Sequence, residues 1–465
     1  MMPRSQFVLL VAIIALMAGL RFVALDSIPP GFFADEAAAA TNVLCFRQTG
    51  AGELGTAWPL FFTAYDRHFG GFFTAPYIYP LVVWTSVFGD SIASFRSFSA
   101  FASALALLGL YHLGALIGDR RTGWLCLLVG ALSPTLFQFA RIAWDPAIVP
   151  CLLVWALYFT LRSNRWLDGV VGGLLFALAA YSYPPTRAQL ILLLPAVAWY
   201  KHLQARVEAP FALAFLATLA VVGAPLAWLT LTGDIQGRFQ LISVFSPDYL
   251  REQYHSTNPL YGLVAMAKNL YWHITPDYLF FRGDNNLRHS TRLTGVLGGL
   301  EMLAVLFVLL GAIRAKSRFL KFGVLCCIGF VAADLASAST RDWTPNALRA
   351  LGGAPFAVMI AAMVLRDALD RFKWAGAAIL AVACAFSAYF MWAYFYSYPQ
   401  PARDWFNVSV RESAETDLPS GHWVRFLAQN HEALPSALHY YLMSMGHQTC
   451  RESARRLDEN LQVVW

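Results

Sequence analysis

Residues 93–140 read ASFRSFSAFASALALLGLYHLGALIGDRRTGWLCLLVGALSPTLFQFA, and this stretch decides the fold class. It contains two apolar runs, 93–117 and 123–140, joined by a short turn that carries Arg120 and Arg121. Each run is close to the ~20 residues that a helix needs to cross a hydrocarbon layer ~30 Å thick. The stretch therefore predicts two membrane-spanning helices joined by a basic turn.

The same pattern recurs along the whole chain. Of 465 residues, 58% are hydrophobic and only 13% are charged, against roughly 25% charged residues in ordinary soluble domains. The first run follows Arg4 and is long for a secretory signal, so we predict a retained helix. We predict an all-α integral membrane protein with about eleven spans. They are 6–25, 93–117, 123–140, 146–161, 166–182, 187–200, 209–231, 292–313, 321–338, 351–365 and 374–397.

The basic residues predict how the chain crosses the membrane. The segment Pro76–Gly89 is apolar but only ~14 residues long, a length typical of interfacial pieces. If it does not cross, five basic loops fall on the side of Arg4, as the positive-inside rule requires. These loops carry Arg120/Arg121, Arg162/Arg165, Lys201/Arg206, Arg314/Lys316/Arg318 and Arg366/Arg371/Lys373. We therefore predict that Pro76–Gly89 lies along the outer interface.

This topology places nearly all long segments on the outer side: 26–92, 141–145, 183–186, 232–291, 339–350 and 398–465. We divide the chain into a transmembrane domain, 1–397, and an extracytoplasmic tail, 398–465. The domain includes a first outer loop, 26–92, and a long outer loop, 232–291. The net charge of +6 is scattered among short loops, which argues against a nucleic-acid partner.

The one-sided loops favour chemistry at the outer surface. A transporter needs access from both sides and often shows inverted repeats, and the sequence shows none. A transporter or flippase of lipid-linked sugars remains an alternative, as does a polysaccharide polymerase or ligase, which would share the outer arginines.

The first outer loop contains Asp35 and Glu36, followed by the helix-forming run Ala37–Ala40. The structural interpretation is that Asp35 caps the helix and Glu36 lies in its first turn. The functional interpretation is a pair of catalytic carboxylates. Spacing alone leaves both interpretations open.

Other outer segments contain charged and aromatic residues at helix ends. The aromatic residues are typical of interfacial anchors, whereas ionisable side chains at this depth are costly and usually face a partner or a ligand. The candidate ligand-binding residues are Asp145, Tyr183, Arg187, Arg288, Asn346 and Arg349. Arg288 lies in 281–289, a segment that also has the composition of a turn.

The sequence does not decide whether the protein binds a metal ion or forms a disulfide. The outer-loop histidines, His68, His255, His273 and His289, lack the short spacing of a zinc site. A divalent ion held by Asp35, Glu36 or Asp145 is an alternative, although no cofactor is required. Only Cys45 and Cys450 lie outside the apolar runs, so a disulfide is open to them if they meet in space.

The order of these motifs resembles that of the GT-C membrane glycosyltransferases. The resemblance rests on Asp35-Glu36, on Arg-x-x-x-Asp-Pro at 141–146, and on Asn346 and Arg349 in a late outer loop. The layout is similar to bacterial relatives of protein O-mannosyltransferases and lipid A aminoarabinose transferases, of the glycosyltransferase family 39 type. It covers roughly 1–400, and the tail beyond matches nothing that we recognise.

The resemblance implies that Asp35 is the catalytic base or an acceptor-binding carboxylate, and that Asp145 is the second-loop aspartate. Many aminoarabinose-type members hold the lipid phosphate with a Lys-Pro pair, but this chain has Thr74-Ala75-Pro76. We therefore expect Arg187 or Arg349 to bind the phosphate instead.

The implied reaction is inverting transfer of a sugar from a polyprenyl-phosphate donor to a lipid, glycan or protein acceptor. The implied location is the periplasmic face of a bacterial inner membrane, in assembly of the cell envelope or lipopolysaccharide. Neither the sugar nor the acceptor follows from the sequence.

Overall fold

The computed structural model describes residues 4–64, 71–204, 206–233, 237–312, 319–422, 429–430, 435–446 and 449–450. It is almost entirely helical, which confirms the predicted all-α membrane fold. The helices of the first half are α1 (Arg4–Gly19), α2 (Ala34–Thr49), α3 (Ala75–Phe88), α4 (Ile92–Ile117), α5 (Arg120–Leu132), α6 (Pro134–Phe139), α7 (Val149–Arg162), α8 (Trp166–Ser182) and α9 (Pro184–Gln204).

The second half continues with α10 (Ala209–Leu231), α11 (Gly237–Ile242), α12 (Pro247–Tyr254), α13 (Pro259–His273), α14 (Gly299–Leu309), α15 (Leu320–Ala338), α16 (Ala354–Arg371), α17 (Ala375–Trp392), α18 (Val408–Asp417) and α19 (Pro435–Ser444). Strands β1 (Phe61–Ala64) and β2 (Gly71–Thr74) form an antiparallel pair with Phe61 opposite Thr74.

All eleven predicted spans contain a helix in the structure. Within the described residues, seven helical stretches are long and apolar enough to cross a membrane. They are Ser5–Phe22, Ile92–Ile117, Asp145–Arg162, Ala209–Leu231, Leu320–Ala338, Leu351–Arg371 and Ala375–Ser397. The other four predicted spans are shorter or less apolar helices, so the count of eleven is approximate.

Two predicted spans differ from the structure for local reasons. The run 123–140 is divided between α5 and α6 because Pro134 lacks an N–H group and Ser133 caps the new helix, accepting a hydrogen bond from Leu136 N at 3.4 Å. The run 292–313 becomes helical only at Gly299, because Glu301 caps the helix there by accepting a hydrogen bond from Gly298 N at 3.0 Å.

The segment Pro76–Gly89 forms α3, which is too short to cross a membrane. It packs against α2 and α4. One face, which includes Tyr77, Ile78 and Leu81, is fully buried, whereas Val83 and Val87 on the other side are exposed. An exposed apolar stripe on a short helix is the form expected of an interfacial element.

Described residues of five predicted outer segments contact one another, and we call the surface that they form the loop face; the segments are 26–92, 141–145, 232–291, 339–350 and 398–465. The described part of the tail folds back over the first outer loop. Cys450 forms a disulfide with Cys45, with 5.2 Å between their Cα atoms, and His439 Nδ1 lies 2.9 Å from the buried Glu53 carboxylate. The disulfide that the sequence left open is therefore present, and it joins α2 to the tail.

Two hydrophobic cores stabilise this arrangement. The larger lies among α1, α5, α7, α9 and α14 to α17. The smaller lies beneath the loop face, where α2, α3, the start of α4 and α19 bury residues such as Phe32, Tyr77 and Tyr440. The smaller core supports the first turn of α2, where Asp35 and Glu36 lie.

Candidate functional site

The first turn of α2 places Asp35 and Glu36 at the loop face. The N-cap residue is Phe33, and its backbone N–H points to Glu36 Oε2 at 3.4 Å. The interpretation of Asp35 as the N-cap is therefore wrong, because Glu36 performs the capping. Asp35 is half-buried and lies on the second residue of the helix.

Glu36 is fully buried and forms an ion pair with Arg96 of α4. Arg96 Nε and Nη2 donate to its two carboxylate oxygens, each at 2.8 Å, and both side chains are 0% exposed. Ala143 N also donates to Glu36 Oε1 at 2.8 Å. Glu36 thus joins α2 to α4 and to the segment that carries Asp145. The signal for Arg96, a charge inside an apolar run, was present in the sequence but was not used.

Asp145 lies within electrostatic range of Asp35. It begins a single 3-10 turn before α7 and is buried. Its carboxylate is close enough to interact electrostatically with Asp35 and with Arg187. Arg141 anchors the same segment, because its guanidinium donates to the carbonyls of Leu20, Val23 and Ile28.

Arg187 approaches Asp145 from the first turn of α9. It is half-buried, donates from Nε to Ala180 O at 3.0 Å, and places its guanidinium carbon 5.7 Å from the centre of the Phe61 ring. Tyr183 lies at the break between α8 and α9 and packs against the larger core. The structure thus brings Arg187 to the site and leaves Tyr183 at its edge.

Arg288 approaches Asp35 from the long outer loop. Its guanidinium carbon lies 5.1 Å from the centre of the Phe33 ring and 5.5 Å from that of Trp405. Burial lowers the pKa of Arg288, and Asp35 is the acidic group that most strongly opposes this. Four charged side chains are therefore linked in sequence by electrostatic interactions at the loop face: Arg288 with Asp35, Asp35 with Asp145, and Asp145 with Arg187.

Asn346 and Arg349 shape a neighbouring loop. Asn346 is buried, and its Oδ1 accepts from Arg349 N at 2.9 Å. Arg349 Nη1 donates to Thr340 Oγ1 at 2.6 Å and to Asp342 O at 2.7 Å. Both residues stabilise the loop 340–349, and contact between either one and a donor stays a prediction.

The outer histidines stabilise the same region. His289 Nδ1 bonds to the buried carboxylate of Asp284 at 2.7 Å, and that carboxylate also accepts from Ala347 N at 2.8 Å. Burial lowers the pKa of His273, whose Nε2 accepts from Asn346 N at 3.2 Å. His68 lies outside the described residues. Among the described residues, no three His, Cys, Asp or Glu side chains gather as a metal site would require.

Part of this site comes from a segment that the sequence analysis left without interpretation. Asn407 Oδ1 accepts from Ala34 N, at the start of α2, at 3.2 Å. The rings of Phe406 and Phe33 meet edge to face, with centroids 5.6 Å apart, and Trp405 supports Arg288. The aromatic run at 405–406 was a signal, but its place in space was not predictable.

No family model matches the sequence, and no curated protein matches it significantly. Among solved structures, it is similar to ArnT from Cupriavidus metallidurans bound to undecaprenyl phosphate, with 14% identity and a TM-score of 0.51, over 98% of this chain and 79% of that one. The same ArnT in the apo state gives 15% identity and a TM-score of 0.50, over 96% of this chain and 77% of that one. The Archaeoglobus fulgidus oligosaccharyltransferase in complex with Zn and sulfate gives 15% identity and a TM-score of 0.49, over 82% of this chain and 52% of that one.

The ArnT likeness shows the fold, and the chain therefore has the GT-C fold that the order of its motifs suggested. It also extends beyond residue 400 into the tail, further than the resemblance in sequence.

Proposed function

We propose that the protein is an inverting glycosyltransferase that moves a sugar from a polyprenyl-phosphate donor to a lipid, glycan or protein acceptor. We place the reaction at the periplasmic face of a bacterial inner membrane. The observation that carries this proposal is the group of Asp35, Asp145, Arg187 and Arg288 at the loop face of a GT-C fold. A solved ArnT structure contains undecaprenyl phosphate, the molecule that such a donor leaves after transfer.

The proposed step is a single displacement. An acceptor hydroxyl or amine attacks the anomeric carbon and forms the new glycosidic bond. The bond between that carbon and the phosphate oxygen breaks, and its electron pair leaves with polyprenyl phosphate. The acceptor proton passes to a carboxylate. Because the leaving group is already a stable anion, the step needs a base and positive charge at the phosphate more than it needs an acid.

Asp35 is the proposed base. It is half-buried and faces Arg288 and Asp145, whereas both oxygens of Glu36 are occupied by Arg96 and by backbone N–H groups. General base catalysis contributes roughly 10² to 10⁴ in rate, or about 3 to 5 kcal/mol. Glu36, which the sequence analysis placed beside Asp35 as a catalytic group, becomes a positioning residue in this proposal.

Arg288 and Arg187 are the proposed phosphate ligands. Guanidinium groups bind phosphate through charge-assisted, often bidentate hydrogen bonds, and Arg288 is prearranged by the Phe33 and Trp405 rings. Asp145 orients Arg187. A divalent cation bound by Asp35 and Asp145 is the alternative that the carboxylate chemistry allows, and rates with a chelator and after addition of Mg²⁺ or Mn²⁺ test it.

The experiment is transfer of radiolabelled sugar from polyprenyl-phosphate donors in membranes that contain the wild type, Asp35→Asn or Asp26→Asn at matched levels. Asp26 is the control because it is an exposed carboxylate of the same loop, paired with Arg411. We expect the first variant to lose transfer by at least 10²-fold and the second to retain it. Equal activity in both variants would remove Asp35 from the mechanism.

A further inference from the structure

Two tryptophans form an open corner at the loop face. Trp343 belongs to the loop after α15, and Trp405 to the short turn before α18. Their ring centroids lie 5.7 Å apart and their planes cross at 73°. Trp343 is 57% exposed, whereas Trp405 is half-buried. The Trp343 ring is therefore accessible to a ligand, and the Trp405 ring lies beside it at a steep angle.

This corner adjoins the proposed catalytic site. The Trp405 ring that meets Trp343 also supports the guanidinium of Arg288, 5.5 Å from its centre, and Arg288 interacts with Asp35. Trp343 is thus linked to the guanidinium of Arg288 through a single indole ring.

The position of Trp343 is imposed by the backbone. Its φ of +51° is in the left-handed region, which bulky residues rarely adopt and which carries a cost. The surrounding loop maintains this conformation, because Arg349 Nη1 bridges Thr340 Oγ1 and the carbonyl of Asp342. The loop thus holds the exposed Trp343 ring in one position beside Trp405 at a backbone cost, and such strain is characteristic of functional sites.

We infer that Trp343 and Trp405 form a subsite for a sugar ring of a glycan acceptor. This inference rests on the proposed function and narrows the acceptor to a glycan. A pyranose ring has one face of C–H groups with partial positive charge, which pack on the electron-rich face of an indole. The perpendicular wall of Trp405 limits the ring to one orientation, and the ring hydroxyls remain in water.

The competing occupant is the membrane, because Trp also anchors proteins at the lipid interface. Trp272 provides the matched control. It is 46% exposed, lies on α13 in the long outer loop and packs edge to face on Tyr271. A substitution there removes a similar exposed indole from a nearby surface.

The first test is saturation-transfer difference NMR of the detergent-solubilised protein with chitotetraose and mannotetraose. We expect at least one of them to bind, with the strongest signals on C–H protons of one ring face. We expect Trp343→Ala to abolish the signals and Trp343→Phe and Trp272→Ala to retain them. Binding of neither sugar, or binding unaffected by Trp343→Ala, overturns the inference.

The second test uses catalysis with an undecaprenyl-diphosphate oligosaccharide as acceptor. We expect Trp343→Ala to raise the acceptor KM about 3- to 10-fold, to leave the donor KM unchanged, and to be rescued by Trp343→Phe. Normal transfer with an unchanged acceptor KM contradicts the subsite alone. Sugar binding in the NMR experiment without any transfer contradicts the proposed function while the subsite stands.

Discussion

At the scale of single residues, Asp35 and Glu36 are adjacent in sequence and occupy opposite environments. Glu36 is fully buried in an ion pair, and Asp35 is half-buried and interacts electrostatically with Arg288. The pair was predictable as a place of interest because acidic residues precede a run of alanines. The division of roles was not, because it depends on Arg96, which reaches Glu36 from a helix 60 residues further along the chain.

The roles of the arginines were also only partly predictable from the sequence. Arg187 was expected at the site and lies there, whereas Arg349 is engaged with its own loop. Arg288 lies in a segment with the composition of a turn, and only the packing of Phe33 and Trp405 around it indicates a binding role. These contacts join residues far apart in sequence, so the spacing of motifs along the chain does not predict them.

Substitution of Arg288 tests its role in donor binding. A charge-assisted hydrogen bond contributes about 1.5 to 3 kcal/mol, so we expect Arg288→Gln to lower kcat/KM for the donor about 10- to 100-fold. Arg288→Lys restores only part of this loss, because an ammonium group lacks the planar stacking of a guanidinium. Initial rates at varied donor concentration provide the measurement.

Arg292→Gln is the control, since Arg292 is an exposed arginine of the same loop. An equal effect of both substitutions would contradict the assignment.

At the scale of elements, helix content was well predicted and helix ends were not. Long apolar runs identify helices because each must satisfy its own backbone hydrogen bonds in lipid. The ends depend on single residues: Ser133 and Pro134 divide one run, and Glu301 fixes the start of α14. Basic loops favoured the prediction that α3 does not cross the membrane, because its length alone was ambiguous.

The start of α2 depends on the Glu36–Arg96 pair. Removal of one partner from a buried ion pair leaves an uncompensated charge and costs about 3 to 5 kcal/mol. We therefore expect Glu36→Gln to lower the free energy of unfolding by about this amount. The measurement is denaturant unfolding of the detergent-solubilised protein.

The exposed pair Arg47–Asp90 is the control for this measurement. Its charged atoms lie 2.6 Å apart, but both side chains are about a third exposed, and such pairs contribute about 0 to 1 kcal/mol. Asp90→Asn should therefore have a small effect. If Glu36→Gln has an equally small effect, the buried pair does not stabilise the start of α2.

At the scale of the whole molecule, the tail closes the loop face. Segment 404–407 and the described tail residues 435–446 and 449–450 contact the first outer loop through Asn407, His439 and the disulfide. A one-sided distribution of long loops was predicted from positive charges. Their convergence was not, because loop contacts do not follow from hydropathy.

The disulfide provides a test of this closure. A native disulfide typically contributes 2 to 5 kcal/mol, mainly by restricting the unfolded chain. We expect the double variant Cys45→Ser/Cys450→Ser to unfold at a clearly lower temperature than the wild type in a thermal denaturation experiment. A reducing agent should lower the wild-type value similarly and leave that of the double variant unchanged.

Cys384→Ser controls for loss of an unrelated thiol, because Cys384 is free and exposed. Disulfides persist in oxidising compartments such as the bacterial periplasm. Formation of this bond in cells therefore supports an extracytoplasmic loop face, and equal unfolding temperatures for the double variant and the wild type would show that the closure contributes nothing to stability.

The central claim is that the loop face transfers a sugar from a polyprenyl-phosphate donor. The most direct measurement uses the purified protein in lipid nanodiscs with a defined polyprenyl-phosphate sugar and an acceptor glycan, and it quantifies both products by mass spectrometry. We predict one polyprenyl phosphate released for each sugar transferred, with both products lowered at least 10²-fold in Asp35→Asn. Movement of intact donor across the bilayer without release of polyprenyl phosphate would contradict it and would favour a flippase.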